Sequence, residues 1–235
     1  MIVIVDYEMG NLRSVQKAFE RIGHAAEVSD KPEAVAKAER LVVPGVGAFG
    51  DAMAALRKRG LVEPIREFCA RGRPLLGICL GLQVLFDESE EVAGGAAAAG
   101  PGAESCGTCG GPGSGACGGP VPLEKGLGLV RGRVVRFSPQ VTAAGLKVPH
   151  MGWNQVVAAR PTRLLDGMPK EGVYFYFAHS YYASPVDEAV TAGRTEYGGW
   201  FTSAIACGNI YATQFHPEKS QAVGLALLEN FVTRT

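Results

Sequence analysis

The chain opens on four consecutive apolar residues, Ile2 to Val5, closed by Asp6. That is the pattern of a short strand buried on both faces of a parallel sheet. Leu12, Val15, Phe19 and Ile22 then recur at helical spacing, with Asn11 placed as a cap and Gly23 as a stop. Ala25 to Val28 predicts a second strand, Asp30 and Pro32 open a short helix, and Leu41 to Val43 predicts a third strand running into Pro44-Gly45-Val46-Gly47. Helical patterns through Met53 and Leu56 and through Ile65 and Phe68 lead to another apolar run, Pro74 to Ile78. Gly81 to Phe86 then has the spacing of a buried helix start. Strand and helix alternate, which predicts an α/β fold with a doubly wound, mostly parallel sheet flanked by helices.

The second half changes character. Gly128 to Phe137, Val173 to His179, Ala189 to Tyr197, Phe201 to Ala206 and Ile210 to Gln214 are short, rich in β-branched and aromatic residues, and separated by turn residues. Cys207-Gly208-Asn209 reads as a hairpin turn, and Val223, Leu227, Leu228 and Phe231 share one face of a closing helix. A single domain over 1–235 with a strand-rich second half is expected. It is interrupted at about 92–123 by a stretch of Gly, Ala, Pro and Ser too poor in large apolar residues to build a core. Cys106, Cys109 and Cys117 lie in this insertion with the spacing Cys-x-x-Cys-x7-Cys. A closed zinc site needs four ligands, and no histidine or fourth cysteine is near, so no metal is expected.

Composition narrows the function by exclusion. Apolar residues make up 47% and charged residues 20%, with 23 basic side chains against 23 acidic. No block of like charge suggests a nucleic-acid groove or a membrane surface. The first residues lack the marks of a signal peptide, and no run approaches a membrane span. A cytosolic protein with its cysteines reduced is expected.

Candidate chemistry centres on Gly77-Ile78-Cys79-Leu80-Gly81, a Gly-x-Cys-x-Gly pattern between a strand and a helix. The pattern is that of a nucleophile elbow carrying sulfur, with glycines to permit a crowded turn. At a helix N-terminus the backbone N–H groups favour the thiolate. His216-Pro217-Glu218 follows the strand that ends at Gln214. Pro217 biases His216 away from helical geometry, so an extended pose holding a base and its orienter is expected. Leu80 N–H and an amide of Gly45-Val46-Gly47 are the candidate oxyanion donors.

These residues together resemble the class I, triad-type glutamine amidotransferases. Gly77-Ile78-Cys79-Leu80-Gly81-Leu82-Gln83 is similar to their nucleophile motif, His216-Pro217-Glu218 to their His-Pro-Glu motif, and Pro44-Gly45-Val46-Gly47 to their oxyanion strand. Within that family the resemblance is closest to the glutaminase subunits of imidazole glycerol phosphate synthases. It is carried by Asp6-Tyr7-x-x-Gly10-Asn11-Leu12, Pro44 to Phe49, Lys147-Val148-Pro149-His150-Met151-Gly152-Trp153-Asn154, Tyr176 to Tyr182, and Gln214 to Ser220. The insertion has no counterpart in that pattern.

The resemblance implies hydrolysis of the glutamine side-chain amide by Cys79, His216 and Glu218, without a cofactor. It implies that Gln83, His179, Ser180 and Tyr181 hold glutamine, although Tyr174 to Tyr182 also reads as an aromatic core strand. Ammonia released into neutral water is mostly protonated, so useful transfer needs a shielded path to an acceptor. By resemblance the acceptor is a cyclase subunit, a (β/α)8 barrel of the histidine pathway, in a heterodimer. Asn11, Met151, Trp153, Asn154 and Lys219 are the candidate contacts, while Trp153 reads equally as a core residue. The alternatives are a glutaminase subunit of the anthranilate or aminodeoxychorismate synthase type and a non-catalytic regulatory subunit with the same fold.

Overall fold

A computed structural model describes residues 1–91 and 123–235; the insertion, with Cys106, Cys109 and Cys117, lies outside the described residues. The first half runs β1 (Ile2–Val5), α1 (Leu12–Arg21), β2 (Ala26–Ser29), α2 (Pro32–Lys37), β3 (Arg40–Gly45), α3 (Phe49–Lys58), α4 (Val62–Ala70), β4 (Leu75–Cys79), α5 (Leu80–Gln83) and β5 (Phe86–Ser89). The second half runs β6 (Glu124–Lys125), β7 (Val130–Arg136), α6 (Pro139–Ala143), β8 (His150–Ala158), β9 (Val173–His179), β10 (Tyr181–Pro185), β11 (Thr191–Glu196), β12 (Trp200–Cys207), β13 (Ile210–Thr213) and α7 (Gln221–Arg234).

The centre of the sheet is five parallel strands in the order β2-β1-β3-β4-β13. Alternate side chains of these strands go to opposite faces, and both faces are covered. Val3, Val5, Leu41, Val43 and Leu75 pack with Phe49, Leu56, Ile65 and Phe68 of α3 and α4. Ile2, Ile4, Val42, Leu76 and Ile78 pack with Phe19 of α1 and Leu227, Leu228 and Phe231 of α7. Burial on both sides is why these strands read as unbroken apolar runs rather than alternating ones. From β13 outward the strand-rich half continues antiparallel through β12, β10 and β7, and β11 leads by way of β8 to β9.

Two registers position the chemistry. In the β3–β4 pair Gly45 lies beside Cys79, and in the β4–β13 pair Thr213 lies beside Ile78. Three parallel strands therefore deliver Gly45, Cys79 and the segment after Thr213 to one carboxyl-terminal edge, the usual ligand side of an open α/β sheet.

Local structure departs from the sequence expectation at several places. The helix expected over Gly81 to Phe86 ends at Gln83, and Phe86 begins a strand. The carbonyls of Val84, Leu85 and Phe86 accept instead from the amides of Leu127 to Val130, a tertiary capture that local spacing does not encode. β8 contains Gly152 and Asn154, poor strand formers, and takes its extended form by pairing along its length with β9. The aromatic run through Tyr182 is two strands rather than one, with Ser180 at the break between β9 and β10.

Gly224 in α7 shows how tightly the last helix is seated. A Cβ there would lie 1.8 Å from the carbonyl oxygen of Pro217. Gly→Ala within a helix ordinarily stabilises by roughly 1 kcal/mol. Here the sign should invert, with Gly224→Ala costing about 2 kcal/mol or more through overpacking. Urea unfolding of the variant against the parent chain checks this; a gain in stability would contradict the packing described.

Candidate active site

Cys79 sits at φ 55° and ψ −107°, at the N-terminal end of α5 and 5% exposed. Positive φ at a non-glycine residue is a strained conformation costing about 1–3 kcal/mol, and it persists only where the surroundings dictate it. Neither Gly77 nor Gly81 has positive φ; the pattern requires them for space. A Cβ on Gly77 would stand 2.6 Å from the Gly81 carbonyl oxygen, and one on Gly81 would stand 1.7 Å from that of Val43. The two glycines let α5 press onto β3 and β4, and the strain falls on the cysteine between them.

The candidate base, His216, follows the end of β13. His216 is extended, with φ −101° and ψ 94°, as expected, but Pro217–Lys219 folds into a 3₁₀ turn rather than continuing extended. The turn brings Glu218 back so that its Oε1 accepts from His216 Nδ1 at 2.9 Å, with the two side chains 3% and 2% exposed. Burial disfavours the imidazolium, but Cys79 and Glu218 outweigh it and push His216 up to about 10. A buried cation facing the sulfur is the environment that activates a thiol.

Two residues that local patterning did not single out hold this arrangement. Ser220 Oγ donates to the His216 carbonyl at 2.7 Å and accepts from Tyr176 N at 3.0 Å, while His216 N donates to Tyr176 O at 2.9 Å. The histidine loop is thereby pinned to β9. Gln214, fully buried, directs Nε2 at Cys79 Sγ at 3.8 Å and accepts from Gln83 Nε2 at 3.3 Å.

The expected oxyanion segment is beside the sulfur. Tyr7 is buried, burial pushes its phenol up, and its hydroxyl donates to Pro44 O at 2.5 Å. A Cβ on Gly45 would lie 2.3 Å from that hydroxyl. Gly47 has φ 105° and packs on Met9, so the loop after β1 cradles the segment, and Asn11 caps α1 immediately beyond that loop. Leu80 is the first residue of α5, where backbone N–H groups lack intrahelical acceptors.

Cys79, His216, Val46, Gly47, Gln83, His179, Ser180 and Tyr181 line one cavity of about 280 Å³, joined by Glu91, Met151 and Lys219. Sequence reasoning passed over Glu91, at the border of the insertion. Its carboxylate accepts from Phe49 N at 3.0 Å, and burial raises its pKa. Gln83 Nε2 is spent internally, on the Tyr181 carbonyl at 2.9 Å and on Gln214. Met151 and Trp153 are 66% and 46% exposed, so Trp153 is a surface side chain, and Lys219 lies over the Tyr176 ring at the cavity rim. Asn11 is exposed, whereas the Asn154 amide is engaged internally. A larger groove of about 740 Å³ runs along residues 158–170, without the cysteine or its base. Chemistry, not size, marks the smaller cavity. Among the described residues no cluster of three or more His, Cys, Asp or Glu is placed to hold a metal.

Residues 3–235 match the family model for glutamine amidotransferase class-I. The chain is similar to the imidazole glycerol phosphate synthase subunit HisH of Syntrophotalea carbinolica, 48% identical over 233 residues that cover 98% of each chain. It is similar also to that subunit of Moorella thermoacetica, 49% identical over 98% of this chain and 93% of the relative. Among solved structures, a glutamine amidotransferase matches with a TM-score of 0.65 over 99% of both chains; at 19% identity this likeness carries the fold alone.

His150 is buried behind the cavity and His179 is buried in its wall, and burial lowers them to about 4 and about 3. Below pH ~6.5 the unfolded chain takes up protons that these rings refuse when folded, so stability falls with falling pH until the folded values are reached. Each ring contributes about 1.4 kcal/mol per pH unit in that window. His216 has the opposite sign: its contribution is present below pH ~6.5 and is lost as pH rises toward 10, so it does not offset the acid loss. Urea unfolding at pH 7.5, 6.5 and 5.5 should show little change over the first step and a clear loss over the second. His150→Phe should reduce that second loss by removing one of the two rings.

Proposed function

The chain belongs to the class I glutamine amidotransferase family, and from that premise we propose that it is the glutaminase subunit of an imidazole glycerol phosphate synthase. It is one amidotransferase domain that hydrolyses glutamine and passes the ammonia to a cyclase subunit. The observation that carries the reading is the buried His216–Glu218 pair facing Cys79 in a cavity small enough for an amino acid.

In this reading Cys79 Sγ attacks the side-chain amide carbon, forming the C–S bond, while the carbonyl oxygen takes up negative charge. Leu80 N–H and an amide of the Gly45-Val46-Gly47 segment receive that charge. His216 gives its proton to the nitrogen, the C–N bond breaks, and ammonia leaves behind a thioester. Neutral His216 then takes a proton from water as the water oxygen attacks the thioester carbon, and breaking the C–S bond releases glutamate. Glu218 keeps the imidazole oriented throughout. Glu91, an acidic side chain on the cavity wall, suits the substrate's α-ammonium. Gln83, His179, Ser180 and Tyr181 form the wall against which glutamine lies.

A glutaminase without an acceptor wastes its product. The partner is the cyclase, a (β/α)8 barrel that uses ammonia to form imidazole glycerol phosphate and an aminoimidazole carboxamide ribotide. It docks over Met151, Trp153 and Lys219, which are at or near the cavity mouth, with Asn11 and Asn154 at the margins. The heterodimer acts in the cytosol; among the described residues no helix is long and apolar enough to cross a membrane. Partner docking also controls the rate. Val46 and Gly47 are exposed, and Gly47 holds a φ closed to other residues, so a peptide here can turn its N–H toward or away from the oxyanion.

Cys79→Ala should abolish glutamine hydrolysis while leaving the fold and partner binding intact; retained turnover in that variant would sink the mechanism. Turnover by the isolated chain should be far below that of the complex with acceptor ligand, since one misaimed oxyanion donor costs about 100-fold to 1000-fold. Gly47→Ala is the probe of choice, because Gly45→Ala collides with the Tyr7 hydroxyl. It should change the ratio of stimulated to resting rates more than it changes partner affinity. An isolated chain already as fast as the liganded complex would overturn the control scheme.

A further inference from the structure

A file of hydrogen bonds joins strand β8, through His179 in the cavity wall, to the nucleophile. Asn154 Nδ2 approaches His150 Nε2 at 3.2 Å, His150 Nδ1 approaches His179 Nε2 at 3.0 Å, and His179 Nδ1 approaches the Tyr181 carbonyl at 2.8 Å. The same carbonyl accepts from Gln83, which donates also to Gln214, which in turn directs its amide at Cys79.

Elementary bonding rules leave one proton assignment for this file. A carbonyl only accepts, so His179 must carry its proton on Nδ1. With the ring neutral, its Nε2 is bare, and His150 must therefore donate from Nδ1. His150 Nε2 is then bare in turn and accepts from Asn154. The asparagine is oriented independently, because its Nδ2 also donates to Glu196 O at 2.9 Å and its Oδ1 accepts from Gln155 N at 2.7 Å. The donors of Asn154, His150 and His179 all point the same way, from β8 toward Tyr181.

Packing holds the rings in place. His150 is stacked between Phe177 at 4.7 Å and Tyr197 at 3.9 Å, and it pairs directly across from His179 in the β8–β9 register. Phe137 and Phe201 flank His179 at 5.2 and 5.4 Å. Stacking fixes where the rings lie; it does not choose which nitrogen bears the proton. The chain of donors does that.

We propose that His150 is a positioning residue for glutamine: by donating to His179 it selects the tautomer that holds the Tyr181 carbonyl, and so keeps the Ser180–Tyr181 wall in register with α5 and Cys79. His150 touches neither the cavity nor the sulfur, and it acts through His179 and the Tyr181 carbonyl alone. This rests on the glutamine reading above.

The test uses glutamine protection of Cys79 against alkylation by iodoacetamide, which needs neither turnover nor a partner. His150→Phe keeps the ring stack and removes the donor. Its Cys79 should alkylate at the parent rate without glutamine, while the glutamine concentration giving half-protection rises about tenfold, as expected for one lost buried hydrogen bond. His150→Asn, whose amide can donate from near the Nδ1 position, should recover most of that loss. Ring-nitrogen NMR of the parent chain should find both histidines neutral with the proton on Nδ1, a readout available even if His150→Phe does not fold. Parent-like protection in His150→Phe, equal loss in the Phe and Asn variants, or a proton on His150 Nε2 would each overturn the proposal. Failure of glutamine to protect the parent chain would instead overturn the glutamine reading itself.

Discussion

The close approach of α5 to β3 and β4 is the constraint on which the rest of the site depends. With no side chain at Gly77 or Gly81, the helix starts directly against the Gly81–Val43 backbone contact, and the turn between must place Cys79 at positive φ. That conformation throws the sulfur off the sheet edge while leaving the first N–H groups of α5 around it. The strain costs roughly 1–3 kcal/mol and is held by two apolar layers that together span the sheet. A nucleophile on a relaxed loop would need no such support, but it would also lack a fixed place relative to its base.

Strand order does the remaining positioning. Because β4 lies between β3 and β13, the cysteine has the Pro44-Gly45-Val46-Gly47 segment on one side and the His216 loop on the other. Each neighbour is tied down from a different part of the chain: the first by Tyr7 from the loop after β1, the second by Tyr176 and Ser220 from β9 and the start of α7. The two attachments differ in stiffness. The histidine side is closed by several buried hydrogen bonds, whereas Val46 and Gly47 are exposed and Gly47 rests on the pliable Met9 side chain. Under the function proposed above, such a difference in stiffness would let a partner regulate the rate through the Gly45 to Gly47 segment without disturbing Cys79 or His216.

The electrostatics divide along the same line. His216 has a carboxylate and a sulfur to balance its charge and is pushed up; His150 and His179 are desolvated with no carboxylate bonded to either ring, the charge on His216 adds to the penalty at His179, and both are pushed down. One buried histidine is thus kept ready to carry a proton and two are kept from doing so, and the difference lies in their neighbours rather than in depth.

Much of the fold was legible because its central strands are buried on both faces. Runs such as Ile2 to Val5 and Leu75 to Ile78 announce themselves without reference to anything distant. The strand-to-helix turn at Cys79 and the extended backbone at His216 were legible because local residue types, glycine and proline above all, carry their geometry, whereas the 3₁₀ turn that brings Glu218 back to His216 was not. What the sequence could not determine is whatever depends on pairing between distant segments. The early end of α5 follows from amides of Leu127 to Val130 taking the carbonyls just beyond it, the extended form of β8 from its register with β9, and the roles of Gln214, Ser220 and Glu91 from neighbours far along the chain. The proton positions on His150 and His179 are the clearest case. Each ring alone is indifferent between its two nitrogens, and only the folded arrangement, by setting a carbonyl at one end and an amide at the other, decides between them.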